Sequence, residues 1–153
     1  MAYLDFISLI HKSTTRDYVA RVTEYPKAKA AEKAKVWGYD YWDGDRRWGY
    51  GGMTYDGRWL KVAKAMAEHY GIKAGDKILD VGCGKGFLMY DFTLAVPGVE
   101  VTGLDISEYA KKHSKEEISQ SITIGNASHL PWGDDSFDFV VSINTLHNLP
   151  NYD

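Results

Sequence analysis

Cysteine is almost missing from this chain of 153 residues, where Cys83 stands alone. An intramolecular disulfide is therefore impossible, and a cysteine-rich metal site is excluded by count. Excess positive charge is missing too. Lys and Arg number 18 against 21 Asp and Glu, for a net charge of -3, and the two signs are interleaved, so no field draws in nucleic acid. Long apolar runs are also lacking. The N-terminal "MAYLDFISLIHKSTTRDY" is broken by Asp5, has no basic region before it and no small-residue cleavage site after it. It reads as neither a signal peptide nor a membrane span. The expectation is a reducing, cytoplasmic setting, with no membrane and no nucleic-acid partner.

What is present suits a globular protein: 44% hydrophobic and 25% charged residues, enough for a real core. The pattern changes near Gly71, which divides an N-terminal segment, 1–71, from a second part, 72–153. Residues 14–37 have a helical rhythm of Ala, Lys and Glu. "GRWLKVAKAMAEHYG" places Leu60, Ala63, Met66, Ala67 and Tyr70 on one face, and Gly71 stops that helix. Between them, residues 38–59 form a long irregular stretch crowded with aromatics, glycines and paired charges. Its acids Asp40, Asp43 and Asp45 do not fit calcium-loop spacing, and no metal is expected.

After Gly71, strands alternate with helices. "KILDV" is a buried-type strand, "GFLMYDFTLAV" a helix and "VEVTGLD" a second strand. "SEYAKKHSKEEIS", capped by Ser107, reads as one helix with a solvated charged face. "SITIGN" and "FDFVVSIN" are the third and fourth strands. This alternation predicts an α/β fold with a Rossmann-like parallel sheet, the N-terminal helices packed on it and a ligand at the carboxyl ends of the strands.

The loop after the first strand, "KILDVGCGKG", narrows the ligand. A Walker loop needs Gly-Lys-Ser/Thr, but Phe87 follows Gly86; the dinucleotide fingerprint needs a glycine where Phe87 stands. The glycines fall instead at 82, 84 and 86, behind Asp80. A carboxylate at that strand end repels pyrophosphate and attracts an ammonium group. Asp105, at the tip of the second strand, can accept both hydrogen bonds of a ribose diol. Together they ask for a nucleoside bearing a positive charge and no phosphates.

Over residues 76 to 149 the chain resembles the class I S-adenosylmethionine-dependent methyltransferases. "LDVGCGKG" is similar to their first motif, "VTGLDIS" to their ribose-binding strand end, and "GNASHLPWGDDSFDFVVS" to their adenine loop and fourth strand. The resemblance implies a cofactor, S-adenosylmethionine with its product S-adenosylhomocysteine. It implies that Gly82, Cys83, Gly84 and Gly86 line the methionine part, with the Cys83 side chain filling space, and that Asp80 lies near the ammonium. Asp105 would hold the ribose hydroxyls and Ile106 the adenine face. Asn126 and Ala127 would border the adenine edge; Ser142 and Asn144 would approach the amino-acid end or the transferred methyl.

Methyl transfer from a sulfonium needs alignment and exclusion of water more than machinery. His147, just past the fourth strand, is the candidate base toward the acceptor. His11, His69, His113 and His129 lack supporting context. Tyr39, Tyr41, Trp42, Trp48 and Tyr50 could form a lid whose rings face the sulfonium, with Arg46 or Arg47 on the methionine carboxylate; alternatively these aromatics glue helices to the sheet. Trp132 reads as a turn anchor. The family's sheet has seven strands, and only four are expected here, which leaves the 137–143 strand an edge for a missing C-terminal segment or a homodimer to cover. The implied activity is methyl transfer to a small-molecule or sugar-like acceptor, by a member of the family or its truncated cofactor-binding part. The alternative is a non-catalytic cofactor-binding module or partner subunit.

Overall fold

The computed structural model describes residues 4–10 and 27–150. His11 and the helical rhythm expected over 14–26 lie outside the described residues. Two compact units are formed: residues 12–54, and residues 1–11 with 55–153.

The larger unit is a four-stranded sheet in the order β3-β2-β1-β4, every pair parallel. Its strands are β1 (Lys77–Val81), β2 (Glu100–Asp105), β3 (Ile122–Ile124) and β4 (Phe139–Val141). Central β1 buries four consecutive residues, as a strand covered on both faces must. Asp138 sets the start of β4 against β1. Its carboxylate accepts from the Lys77 N–H at 2.8 Å while its own N–H donates to the Lys77 carbonyl at 2.9 Å. On the far side of β4 no strand is paired among the described residues, and Val140 is exposed.

The smaller unit carries two short helices, α1 (Lys27–Ala34) and α2 (Tyr39–Trp42), and the larger carries α3 (Leu60–Tyr70) and α4 (Phe87–Ala95), which pack on each other. Val62, Ala63 and Met66 of α3 meet Leu88 and Phe92 of α4 over Ile78 and Val141 of the sheet. Residues 4–10 close this core through Phe6 and Ile10. The buried face of α3 is rotated from the expected one. Val62 lies inside it and Tyr70 is 54% exposed, half-covered by Phe6, His69 and Phe139. The helix ends at Gly71, whose φ of 68° suits a residue without Cβ.

The helix expected from Ser107 onward is split. The Ser107 hydroxyl accepts from the Ala110 N–H at 3.0 Å, but α5 (Glu108–Lys112) stops at His113, and Lys115 is extended before a 3-10 turn over Glu116–Ser121. The break carries Ile118 inward, where it is buried against Cys83, Met89 and Ile122. A continuous charged helix could not place that side chain there. The histidine at the break is satisfied: His113 Nδ1 lies 2.8 Å from the Tyr109 carbonyl and its ring stacks on Tyr109.

Asp91, on α4, is fully buried, and the Tyr55 hydroxyl donates to its Oδ1 at 2.6 Å. Its Oδ2 has no hydrogen-bond partner among the described residues. Burial raises the carboxyl pKa, and the Tyr55 hydroxyl pulls it back down. Nothing in the sequence separated Asp91 from an ordinary helix-surface acid. Tyr55→Phe leaves a buried acid without its donor and should cost about 1–3 kcal/mol, seen as a lower urea midpoint. Asp91→Asn in the Tyr55→Phe background should restore part of it, and an unchanged Tyr55→Phe midpoint would show that the hydrogen bond is not structural.

In the smaller unit the aromatic residues pack on one another. Tyr41 meets Trp37, Trp42 and Tyr50 edge to face, and Trp42 stacks on Tyr50 at 5.3 Å. Lys33 and Arg47 lie over Trp48. Arg47 pairs with Asp45, holding that carboxyl down to about 2, and Arg46 Nη1 donates to the Tyr50 carbonyl. Asp43 accepts from the Met53 N–H.

Candidate functional site

The site begins where β1 runs out. After Val81 the chain turns through Gly82, Gly84 and Gly86, with φ of 82°, 56° and 71°, a left-handed region that favours residues without Cβ. The turn is tied to β2: the N–H groups of Gly82 and Cys83 both donate to the Leu104 carbonyl, at 2.7 and 3.1 Å. Gly86 then caps α4. A Cβ at Gly82 would run into the Thr145 side chain, and one at Gly86 into Ile118. Two of the glycines are thus needed for close approach as well as for φ.

Asp105 is the second anchor. Its Oδ2 accepts from the Gly84 N–H at 2.7 Å and its Oδ1 from the Ser107 N–H at 2.8 Å. A carboxylate offers about four lone-pair sites, so two remain for a diol. Burial raises the Asp105 pKa while these N–H donors oppose the rise. Asp80 pairs in register with Gly103, two residues before Asp105, so the two acids share one sheet face. Asp80 is 4% exposed. Burial first, and the Asp105 charge second, push its carboxyl up to about 7.

The remaining expected residues gather at the same strand ends. Ile106, 50% exposed, follows Asp105 directly. The Gly125 N–H donates to the Asp105 carbonyl at 2.9 Å, which brings Asn126 and Ala127 alongside; Asn126 is held by an Asx turn to the Ser128 N–H. The Ser142 hydroxyl donates to the Val81 carbonyl at 2.9 Å, locking the end of β4 to the glycine turn. Asn144 has φ of 58°, a conformation asparagine tolerates better than most residues. His147 is exposed on the 3-10 turn Leu146–Asn148.

Cys83 lies away from this rim. Its thiol is buried with Met89, Ile118 and Ile122, and burial raises its pKa. It fills space there, as expected for its side chain. Sequence reasoning missed Thr145, which covers Gly82, and Gly103, where a Cβ would meet the sulfurs of Met89 and Cys83. It also missed Lys85, buried in the glycine turn with its ammonium 6.0 Å from the Tyr109 ring. A glycine inside a strand pattern is itself a signal of close approach.

Comparison with known proteins bears on this geometry directly. Residues 79–153 match the family described as "Methyltransferase domain". That match spans 75 residues, just under half of the chain. Demethylmenaquinone methyltransferase of Staphylococcus aureus is 37% identical over 98 residues, covering 58% of this chain and 39% of the relative. The chain thus spans about two-fifths of the length of the curated relatives it matches. Two solved structures speak to the fold. A candidate S-adenosyl-L-methionine-dependent methyltransferase of Methanococcus maripaludis, 16% identical, matches with a TM-score of 0.53 over 91% of this chain and 57% of its own. A candidate methyltransferase from an antibiotic biosynthesis pathway of Anabaena variabilis, 21% identical, gives 0.53 over 61% and 37%. The expected fold, a Rossmann-like parallel α/β sheet, is thereby established.

The residues at these strand ends fit S-adenosylmethionine, the cofactor that the resemblance implies. A buried carboxylate at the end of β1 suits an ammonium, the open lone pairs of Asp105 suit a diol, and exposed Ile106 suits a flat apolar ring. Among the described residues no group of three or more His, Cys, Asp and Glu could hold a metal ion. No described helix is long and apolar enough to cross a membrane. Gly82→Ala should weaken cofactor binding in the domain at least tenfold by displacing Thr145, and Thr145→Gly in the same chain should recover part of the loss. Unaltered binding by Gly82→Ala in calorimetry would show that the contact is irrelevant to the site.

Proposed function

We propose that this chain binds S-adenosylmethionine across the ends of β1, β2 and β4 and serves methyl transfer to a small-molecule acceptor. The observation that carries the reading is the pair of buried acids, one clamped to the glycine turn with lone pairs to spare, the other buried with no donor. Such a pair selects a cationic nucleoside over an anionic one.

When bound, the cofactor supplies an electrophilic methyl group on sulfur. The chain's own residues do the rest. Asp105 fixes the ribose and Asp80 the amino end, so the position of the reacting carbon follows from two strand ends in a rigid sheet. Ser142 holds the end of β4 against the turn, which keeps Thr145 over Gly82. We assign His147 the acceptor side, where it takes the proton of a hydroxyl or carbon acid as the new bond forms. A small cyclic acceptor of quinol type is favoured by the likeness to demethylmenaquinone methyltransferase. The Trp, Tyr, Asp and Arg content that suggested a sugar is engaged in local contacts within residues 33–53.

Calorimetry with S-adenosylmethionine and S-adenosylhomocysteine tests the reading, with micromolar binding of both expected. A folded sample giving no heat with either would overturn it. Transfer of a labelled methyl group to a panel of quinols and phenols separates an enzyme from a module that only binds. His147→Gln should lower turnover without changing cofactor affinity.

A further inference from the structure

Asp80 and Asp105 set up a charge problem that the described residues do not solve. Both are buried, on one face of neighbouring strands, with Asp80 level with Gly103 and Asp105 two residues further along β2. Asp105 is supplied with donors by Gly84 and Ser107. Asp80, 4% exposed, receives no hydrogen bond on its carboxylate from the described residues, and the charge that bears on it is that of Asp105. Among the described residues the other elements around it bring no compensating charge. After β4 come Ser142, Asn144 and Thr145, none of them ionisable, and then His147, which is exposed. In the glycine turn the Cys83 thiol is held neutral, and the Lys85 ammonium lies at the Tyr109 ring. On α4, Asp91 is engaged by Tyr55. Two neighbouring buried acids do not both ionise readily, and the one without donors keeps the proton.

We propose that Asp80 holds a proton in the unliganded chain and releases it when an ammonium group docks at the end of β1, so that ligand capture is coupled to proton release. This rests on the cofactor reading above. The balance is simple: the O–H bond of the Asp80 carboxyl breaks, its proton passes to solvent, and the ligand's ammonium faces the carboxylate left behind. Affinity for any ligand carrying that ammonium therefore rises with pH until Asp80 is ionised in the free chain. A nucleoside without the amino-acid end gains nothing from the same change.

Titration calorimetry of the unaltered chain with S-adenosylhomocysteine, at pH 6 in two buffers of different ionisation enthalpy, counts the protons directly. Close to one released per ligand is expected, with affinity rising about tenfold from pH 5.5 to 7, a range in which the ligand's α-amino group stays protonated. Methylthioadenosine, which lacks the amino-acid end, should bind with no proton release and no such rise. In Asp80→Asn the pH dependence should vanish; if that variant does not fold, the two-buffer count on the unaltered chain decides. Binding without proton release, or proton release retained in Asp80→Asn, overturns the coupling and leaves the proposed function standing. Absence of binding by every ligand overturns both.

Discussion

Asp105→Ala is expected to abolish cofactor binding and to lower stability by about 3–5 kcal/mol, since two buried N–H groups lose a charged acceptor at about 1.5–3 kcal/mol each. The donors are Gly84, at the crest of the glycine turn, and Ser107, at the cap of α5. The loss is partly offset because Asp80 no longer faces a like charge. Against a typical domain stability of about 5–15 kcal/mol, the variant should fold but melt early. Asp105→Asn should fall between, because its amide has one acceptor oxygen and presents an NH2 to the other N–H. Urea denaturation and calorimetry read the two effects separately. An Asp105→Ala chain with an unaltered urea midpoint would remove the clamp from the account.

Much of this clamp is legible in the sequence. The apolar run into Asp80, the three glycines and the acid ending "VTGLD" specify a strand end, a turn and a second strand end, because each uses local backbone rules that hold whatever surrounds them. Ser107 as a cap was legible for the same reason. What was not legible depends on partners distant in the chain. Thr145 reaches Gly82 only because β4 pairs with β1, and Tyr55 reaches Asp91 across 36 positions. The split after Lys112 belongs with these. Local propensity favoured one helix through Ser119, and burial of Ile118 overrode it. The same limit explains the rotated face of α3, where periodicity alone could not choose between Val62 and Tyr70.

The second large effect concerns Asp80 and pH. Its pKa stands at about 7 in the folded chain against the ordinary 3.8, so the folded state holds the proton over a range in which the unfolded chain has lost it. Stability then falls as pH rises from about 4 to about 7, by about 1.4 kcal/mol per unit and on the order of 4 kcal/mol in all. Asp80→Asn has no proton to lose at this position. It should resemble the unaltered chain near pH 4.5 and exceed it by several kcal/mol at pH 8, while binding S-adenosylmethionine poorly. Denaturant midpoints of both proteins at the two pH values provide the check, and parallel profiles would show that Asp80 ionises in the folded chain as it does in the unfolded one. A site that lowers stability where the ligand binds is the usual trade between function and stability.

Cys83, behind the glycine turn, offers a clock. Its thiol is buried between Gly103 and Met89 with its pKa raised, so a soluble thiol reagent reaches it only when the turn swings away from β2. The rate of modification therefore reports how often the ends of β1 and β2 part, without any introduced label. Any ligand that bridges Asp80 and Asp105 should slow it in proportion to occupancy.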